Sequence, residues 1–158
     1  MRHAEAEERA ASGRDEDRSL TNAGLKQAEA AGRGIAAVSG GIGLVLTSPY
    51  LRARQTAEAA SRALGVQAAR STRALEPERD PGEILSEIEE ESEETILLVG
   101  HAPLLGHLLG RLVSGGSDAD VPLSKASAAW LTLGANFRRG RLRALLPEPI
   151  LGRLGRKR

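Results

Sequence analysis

Cysteine is absent from the 158-residue chain, which excludes disulfides and thiol chemistry and fits a reducing cytoplasm. Aromatic residues are almost absent as well: Tyr50, Trp130 and Phe137 stand alone, one of each kind. A core therefore has to be built from Leu, Ile, Val and Ala, which suits thin layers of helix on sheet. No stretch approaches the ~18 consecutive apolar residues of a membrane span, and no apolar signal region follows Met1. Neither sign of charge dominates: the net charge is +1, so attraction of the whole molecule to nucleic acid or to an anionic membrane is not expected. These absences describe a cytoplasmic monomer that needs neither nucleic acid nor membrane as a partner.

The length suits one domain, and no linker-like stretch divides it. Charge is uneven along the chain. "EILSEIEEESEE" is read as a solvated helix face and turn, and "LGRLGRKR" as a basic tail, giving a domain over residues 1–150 and a tail over 151–158.

Apolar periodicity supplies the elements. Thr21 is a candidate N-cap for a helix over 21–38 with Leu25, Ala28, Gly32 and Ile35 on one face, ended by "SGG". "GLVLTSP" is a short apolar run bounded by Gly and Pro, as in a buried strand. A helix follows over 51–64, with Ala53, Ala57, Ala60 and Leu64 facing inward and Gly65 as its stop. Residues 66–70 suit a short strand. Asp80 and Pro81 cap and open a third helix that turns Ile84, Leu85 and Ile88 inward. "TILLVGH" is the strongest strand pattern, and the leucine-rich helix after it, over 103–113, is expected to be deeply packed. "ASAAWLTL" and "RLRALLP", separated by "GANFRRG", suit an antiparallel hairpin at a sheet edge. Together these give an α/β fold, a three-layer α/β/α sandwich with a mostly parallel central sheet.

Chemistry gathers in three short stretches: "RH" at 2–3, "TSPYLRARQTAE" at 47–58 and "VGHAP" at 99–103. Ligands of open α/β sheets bind beyond the carboxyl ends of the strands, and a strand ahead of "RH" would bring His3, Arg52 and His101 to that one rim. Singly, each residue has an ordinary reading. His3 suits a surface position, Arg52 and Arg54 suit exposed charges, His101 suits a helix cap, and His107, mid-helix among leucines, suits a structural role.

Taken in order, the motifs resemble the histidine phosphatase superfamily, also called phosphoglycerate-mutase-like, and within it the small SixA-type phosphohistidine phosphatases. "RHAEA" is similar to the family's Arg-His-Gly motif with alanine in place of glycine. "DRSLTNAGLKQAEAAG" is similar to the segment that opens the first helix, "TSPYLRARQTAE" to Ser-Pro-x-x-Arg-Ala-x-Gln-Thr, and "LLVGHAP" to Val-Gly-His. "KASAAWLTL" and "GRLRALLPE" resemble the closing strands.

The resemblance implies that His3 is the nucleophile and forms a phosphohistidine intermediate that water hydrolyses. A neutral imidazole has a lone pair at pH 7, so it needs no prior deprotonation, and neither a metal nor a cofactor is expected. Arg2 and Arg52 supply planar charged forks for the phosphoryl oxygens. His101, when protonated, adds a third cationic donor, and Ser48 with the helix start near Tyr50 offers further donors. Glu76 in "LEPERDP" is the first candidate for a general acid and Asp17 its rival. Only residues 56–98 lie between the second motif and "VGH", too short for the cap that larger relatives build. An uncovered site favours a phosphorylated histidine on a protein. A small-molecule phosphomonoester is the alternative substrate, and a phosphate- or protein-binding module without turnover the alternative function.

One departure stands out. The resemblance implies a buried strand ahead of the Arg-His pair, whereas Met1 alone precedes Arg2. The expectation is a fold that lacks its first strand, with the flanks of two neighbouring strands left open and a start site set one strand too late.

Overall fold

The computed structural model describes residues 1–67, 69–116, 119–134 and 137–156. The elements run α1 (Asn22–Ser39), β1 (Leu44–Thr47), α2 (Leu51–Leu64), β2 (Arg70–Ser71), α3 (Pro81–Glu89), β3 (Ile96–Val99), α4 (Leu104–Ser114), β4 (Ala128–Leu133), β5 (Gly140–Leu146) and α5 (Glu148–Leu154). Local chemistry sets most of the boundaries. The Thr21 side chain accepts from the Gly24 amide at the start of α1, and the Asp80 side chain accepts from the Gly82 amide at the start of α3. α2 stops at Gly65, whose φ of 71° suits glycine.

β1 lies between β2 and β3, parallel to both, with Leu44–Thr47 in register with Ile96–Val99. Both faces of this sheet are covered, which is why its strands are continuous aliphatic runs. Val45, Leu97 and Val99 join one core cluster with α1, α2 and α5, while Leu44, Leu46, Ile96 and Leu98 join the other with α3 and α4. The result is the three-layer α/β/α arrangement.

Three local expectations are corrected. The short strand expected over 66–70 lies at Arg70–Ser71. Residues 151–154, assigned by their charge to the basic tail, belong to α5. Leu151 is fully buried against α1, its backbone so close to Gly34 that a Cβ there would lie 2.3 Å from the Leu151 carbonyl oxygen. Basic residues had masked one apolar anchor. His107 is exposed on α4 rather than packed among the leucines, and Val113 is also exposed. Part of the turn "GANFRRG" and the last two residues of the tail lie outside the described residues.

β4 and β5 pair antiparallel, with a register shift between Trp130 and Leu131, and form a sheet of their own. Residues 1–3 bridge the two sheets. Arg2 pairs in parallel with Gly100 and donates its amide to Ser127, while the Ala126 amide bonds the His3 carbonyl. Behind Met1 the bridge stops, and the edges of β3 and β4 diverge around a cavity of about 650 Å³. Leu97, Leu98, Leu108, Ala129, Leu131 and Met1 are among its lining residues. This cavity lies beside Met1, between residues of β3, α4 and β4.

Candidate active site

The three expected stretches converge at the carboxyl ends of β1 and β3. The His3 amide bonds the Gly100 carbonyl at 2.9 Å, and the Ser48 amide bonds the Val99 carbonyl at 3.0 Å, so all three segments are tied to one rim. A further tie comes from Thr56 on α2. Its hydroxyl donates to the Arg52 carbonyl and accepts from the Ala4 amide, coupling the backbone beside His3 to that of Arg52. His3, Ser48, Arg52 and His101 are all buried.

The His3 and His101 rings lie 5.1 Å apart between centroids, and Tyr50 meets His101 edge-on, also at 5.1 Å. Nδ1 of His3 lies 2.7 Å from the Ala4 carbonyl oxygen. A carbonyl only accepts, so this contact assigns the proton to Nδ1 and leaves the lone pair on Nε2. Nε2 of His101 is 2.9 Å from the Ser48 hydroxyl, and its buried Nδ1 has no partner. Arg2 donates from one terminal nitrogen to the Leu123 carbonyl at 2.8 Å, while its buried Nε is unpartnered. Arg52 donates to the Asp15 carbonyl and carboxylate at 2.7 and 2.8 Å, and its guanidinium lies 5.0 Å over the Tyr50 ring.

Burial and cationic surroundings keep both imidazoles neutral. Desolvation, with Arg52, Arg2 and Lys125 nearby, lowers the His3 pKa to about 4 despite the opposing bond to Ala4. Desolvation, His3 and the same two arginines bring His101 down to about 3, opposed by Asp15. What converges is two arginine cations and two neutral rings with unused polar atoms.

Both candidate acids are ion-paired, and Glu76 lies near enough to Tyr50 to help desolvation raise its pKa. Glu76 is ion-paired to Arg73 and Arg79, and Asp17 to Arg14. Arg54 is exposed on α2, consistent with its ordinary reading. Among the described residues no group of three or more His, Asp or Glu side chains could hold a metal ion, and no helix is long and apolar enough to cross a membrane. Sequence reasoning missed Asp15 and Thr56. Asp15 sits in an acidic, polar stretch, and nothing local marks it as the partner of an arginine on α2.

The family model of the histidine phosphatase superfamily (branch 1) matches residues 1–83. A search of curated protein sequences finds no match. Among solved structures, the protein histidine phosphatase SixA in complex with tungstate is 27% identical. The alignment covers 94% of this chain and 95% of that one, with a TM-score of 0.85. Proteins named SixA from Nakamurella multipartitia and Agrobacterium tumefaciens are each 28% identical, with TM-scores of 0.76 and 0.75. Both alignments cover 92% of this chain, and they cover 91% and 94% of those chains respectively. With a family model matched over its first half and a SixA-like fold over nearly its whole length, the chain belongs to the histidine phosphatase superfamily, branch 1, and is a phosphatase.

Proposed function

We propose that the protein hydrolyses phosphohistidine on a phosphoprotein through a covalent phosphohistidine on His3. The observation that carries this reading is the neutral His3 ring, whose Nδ1 proton is held by the Ala4 carbonyl and whose Nε2 lone pair is free. Nε2 attacks phosphorus, and the bond from phosphorus to the substrate imidazole breaks. Its electron pair stays on the leaving nitrogen, which takes a proton from solvent. Water then attacks the phosphoenzyme, loses a proton, and releases phosphate with the His3 lone pair restored. An imidazole leaves more readily than an alkoxide, so the commitment of Glu76 and Asp17 to arginines does not obstruct the reaction.

Charge on the equatorial phosphoryl oxygens is the second requirement. Arg2 and Arg52 answer it as preorganised cations. Ser48 accepts from the Tyr50 amide, so its own proton suits the nearby Nε2 of His101. The His101 proton then sits on Nδ1, a buried N–H without a partner that suits a phosphoryl oxygen with no need for an imidazolium. Among the described residues, the connection from α2 to β3 contains β2, a short 3-10 turn and α3, with no inserted domain to roof the site. An open rim favours a protein-borne phosphohistidine over a small ester.

The test compares release of phosphate from a phosphohistidine-bearing phosphotransfer domain and from an aryl phosphate, in the wild type and in His3→Ala. We expect preference for the phosphoprotein, loss of turnover in His3→Ala, and retained binding of tungstate as a phosphoryl mimic, because both arginines remain. Turnover that survives His3→Ala would overturn the mechanism, and faster cleavage of the aryl phosphate would overturn the substrate assignment.

A further inference from the structure

We propose that Asp15 is a positioning residue for Arg52. It holds the guanidinium by both terminal nitrogens and so fixes the plane in which the remaining N–H donors are presented to a phosphoryl group. The proposal rests on the reading of Arg52 as a phosphoryl-binding residue and adds the group that aims it.

The geometry is specific. Arg52 is 5% exposed, so its guanidinium needs fixed partners rather than water. One residue provides two of them: the Asp15 carbonyl oxygen takes one terminal nitrogen at 2.7 Å, and Asp15 Oδ2 takes the other at 2.8 Å. Two acceptors on adjacent nitrogens fix the plane of the fork, as a bidentate carboxylate does, and Tyr50 covers one face of that plane. A long side chain in the first turn of α2 otherwise samples many rotamers. Ordering it before the substrate arrives removes that cost from the chemical step.

Asp15 is itself well anchored. Its other carboxylate oxygen accepts from Arg18, whose Nε donates to the Glu7 carbonyl. The loop over residues 7–19 is closed at its neck by the Glu7 amide on the Ser19 carbonyl and by the Ala6–Leu20 bridge. Within it, Asp17 accepts from Ser12 and Arg14. The loop is thus a self-bonded unit whose Asp15 reaches the buried arginine. The same contact allows an opposite reading, in which the carboxylate competes with the phosphoryl group for Arg52, and the two readings predict opposite effects of removing it.

The experiment measures tungstate affinity and aryl phosphate turnover for the wild type, Asp15→Ala, Asp15→Asn, Arg52→Ala and the double variant Asp15→Ala/Arg52→Ala. The Asp15 side chain is 55% exposed, so its truncation is expected to leave the melting temperature near that of the wild type. We expect Asp15→Ala to weaken tungstate binding about tenfold and to lower kcat by up to about a hundredfold, the scale of a misplaced catalytic group. Asp15→Asn keeps an acceptor and should recover most of the loss. In the Arg52→Ala background, Asp15→Ala should change neither quantity, because its effect passes through Arg52. Tighter tungstate binding by Asp15→Ala, unchanged binding, or full additivity with Arg52→Ala would each overturn the proposal. If the wild type turns over neither aryl phosphate nor phosphohistidine, the proposed function fails, and the tungstate affinities still decide the role of Asp15.

Discussion

In the 158-residue chain with a free amine on Met1, lowering the pH from 8 to 6.5 should destabilise the protein measurably. The Met1 amine is buried at the end of the bridge between the two sheets, where it donates to the Leu98 carbonyl at 2.7 Å. Desolvation lowers its pKa from 8.0 to about 5. Between those values the unfolded chain binds a proton that the folded chain refuses, so stability rises with pH and is lost as pH falls. One and a half pK units correspond to roughly 2 kcal/mol between pH 8 and 6.5, and the loss reaches about 3 kcal/mol by pH 5. Set against a typical ~5–15 kcal/mol for a domain, this is a large fraction. It corresponds to a fall in Tm of roughly 4–8 °C over the first interval for a chain of this size. Urea unfolding at pH 8, 7.25 and 6.5 measures it directly. His3 and His101, with ordinary values near 6.5 and folded values of about 4 and 3, add a smaller loss of the same sign, roughly 0.4 kcal/mol each by pH 6.5, so the amine supplies most of the slope. Acetylating Met1 replaces the ammonium with an amide, and the cavity behind Met1 has room for the added group, so the slope should fall to the smaller part left by the two histidines. A flat profile in the unmodified protein, or the same slope after acetylation, would refute the reasoning.

Other consequences follow from the same geometry. Because burial and nearby cations hold the His3 and His101 pKa values at about 4 and 3, kcat/KM of the folded protein should stay level through pH 6.5. An acid limb centred near 6.5 would show that the ligand-free imidazoles titrate normally. Arg52→Lys removes the planar fork while keeping the charge, and kcat/KM is expected to fall about a hundredfold to a thousandfold in steady-state assays. In Gly24→Ala the new Cβ would lie 1.9 Å from the Glu5 carbonyl oxygen, on the segment that follows His3. We expect a loss of roughly 1–3 kcal/mol in denaturant unfolding together with reduced turnover.

Elements whose determinants are local were legible in the sequence. Thr21, Asp80 and Gly65 act on their own first or last turn, and the bounds of α2 match those expected from periodicity and its glycine stop. The residues expected at a phosphate site, Arg2, His3, Ser48, Arg52 and His101, come together at one rim: Ser48 and His101 follow aliphatic strands whose pattern is unmistakable, Arg52 lies in the first turn of the helix after β1, and the Arg2–His3 pair is tied to Gly100. The misreadings come from long-range causes. α5 was hidden because the basic residues around Leu151 outweigh one apolar anchor, whose burial depends on a helix of the other half of the chain. His107 looked internal because its neighbours are leucines, yet it falls on the outward face of α4.

The sequence by itself determined α1 to α4, the aliphatic strands, the family and the residue types of the candidate site, since these depend on periodicity, caps and short contiguous motifs. Only the tertiary structure decided which nitrogen of His3 keeps its proton, how far burial lowers both imidazoles, and that Asp15 grips Arg52 across 37 positions of sequence. Those properties depend on the absence of water and on the direction of single hydrogen bonds, which arise only when distant segments meet.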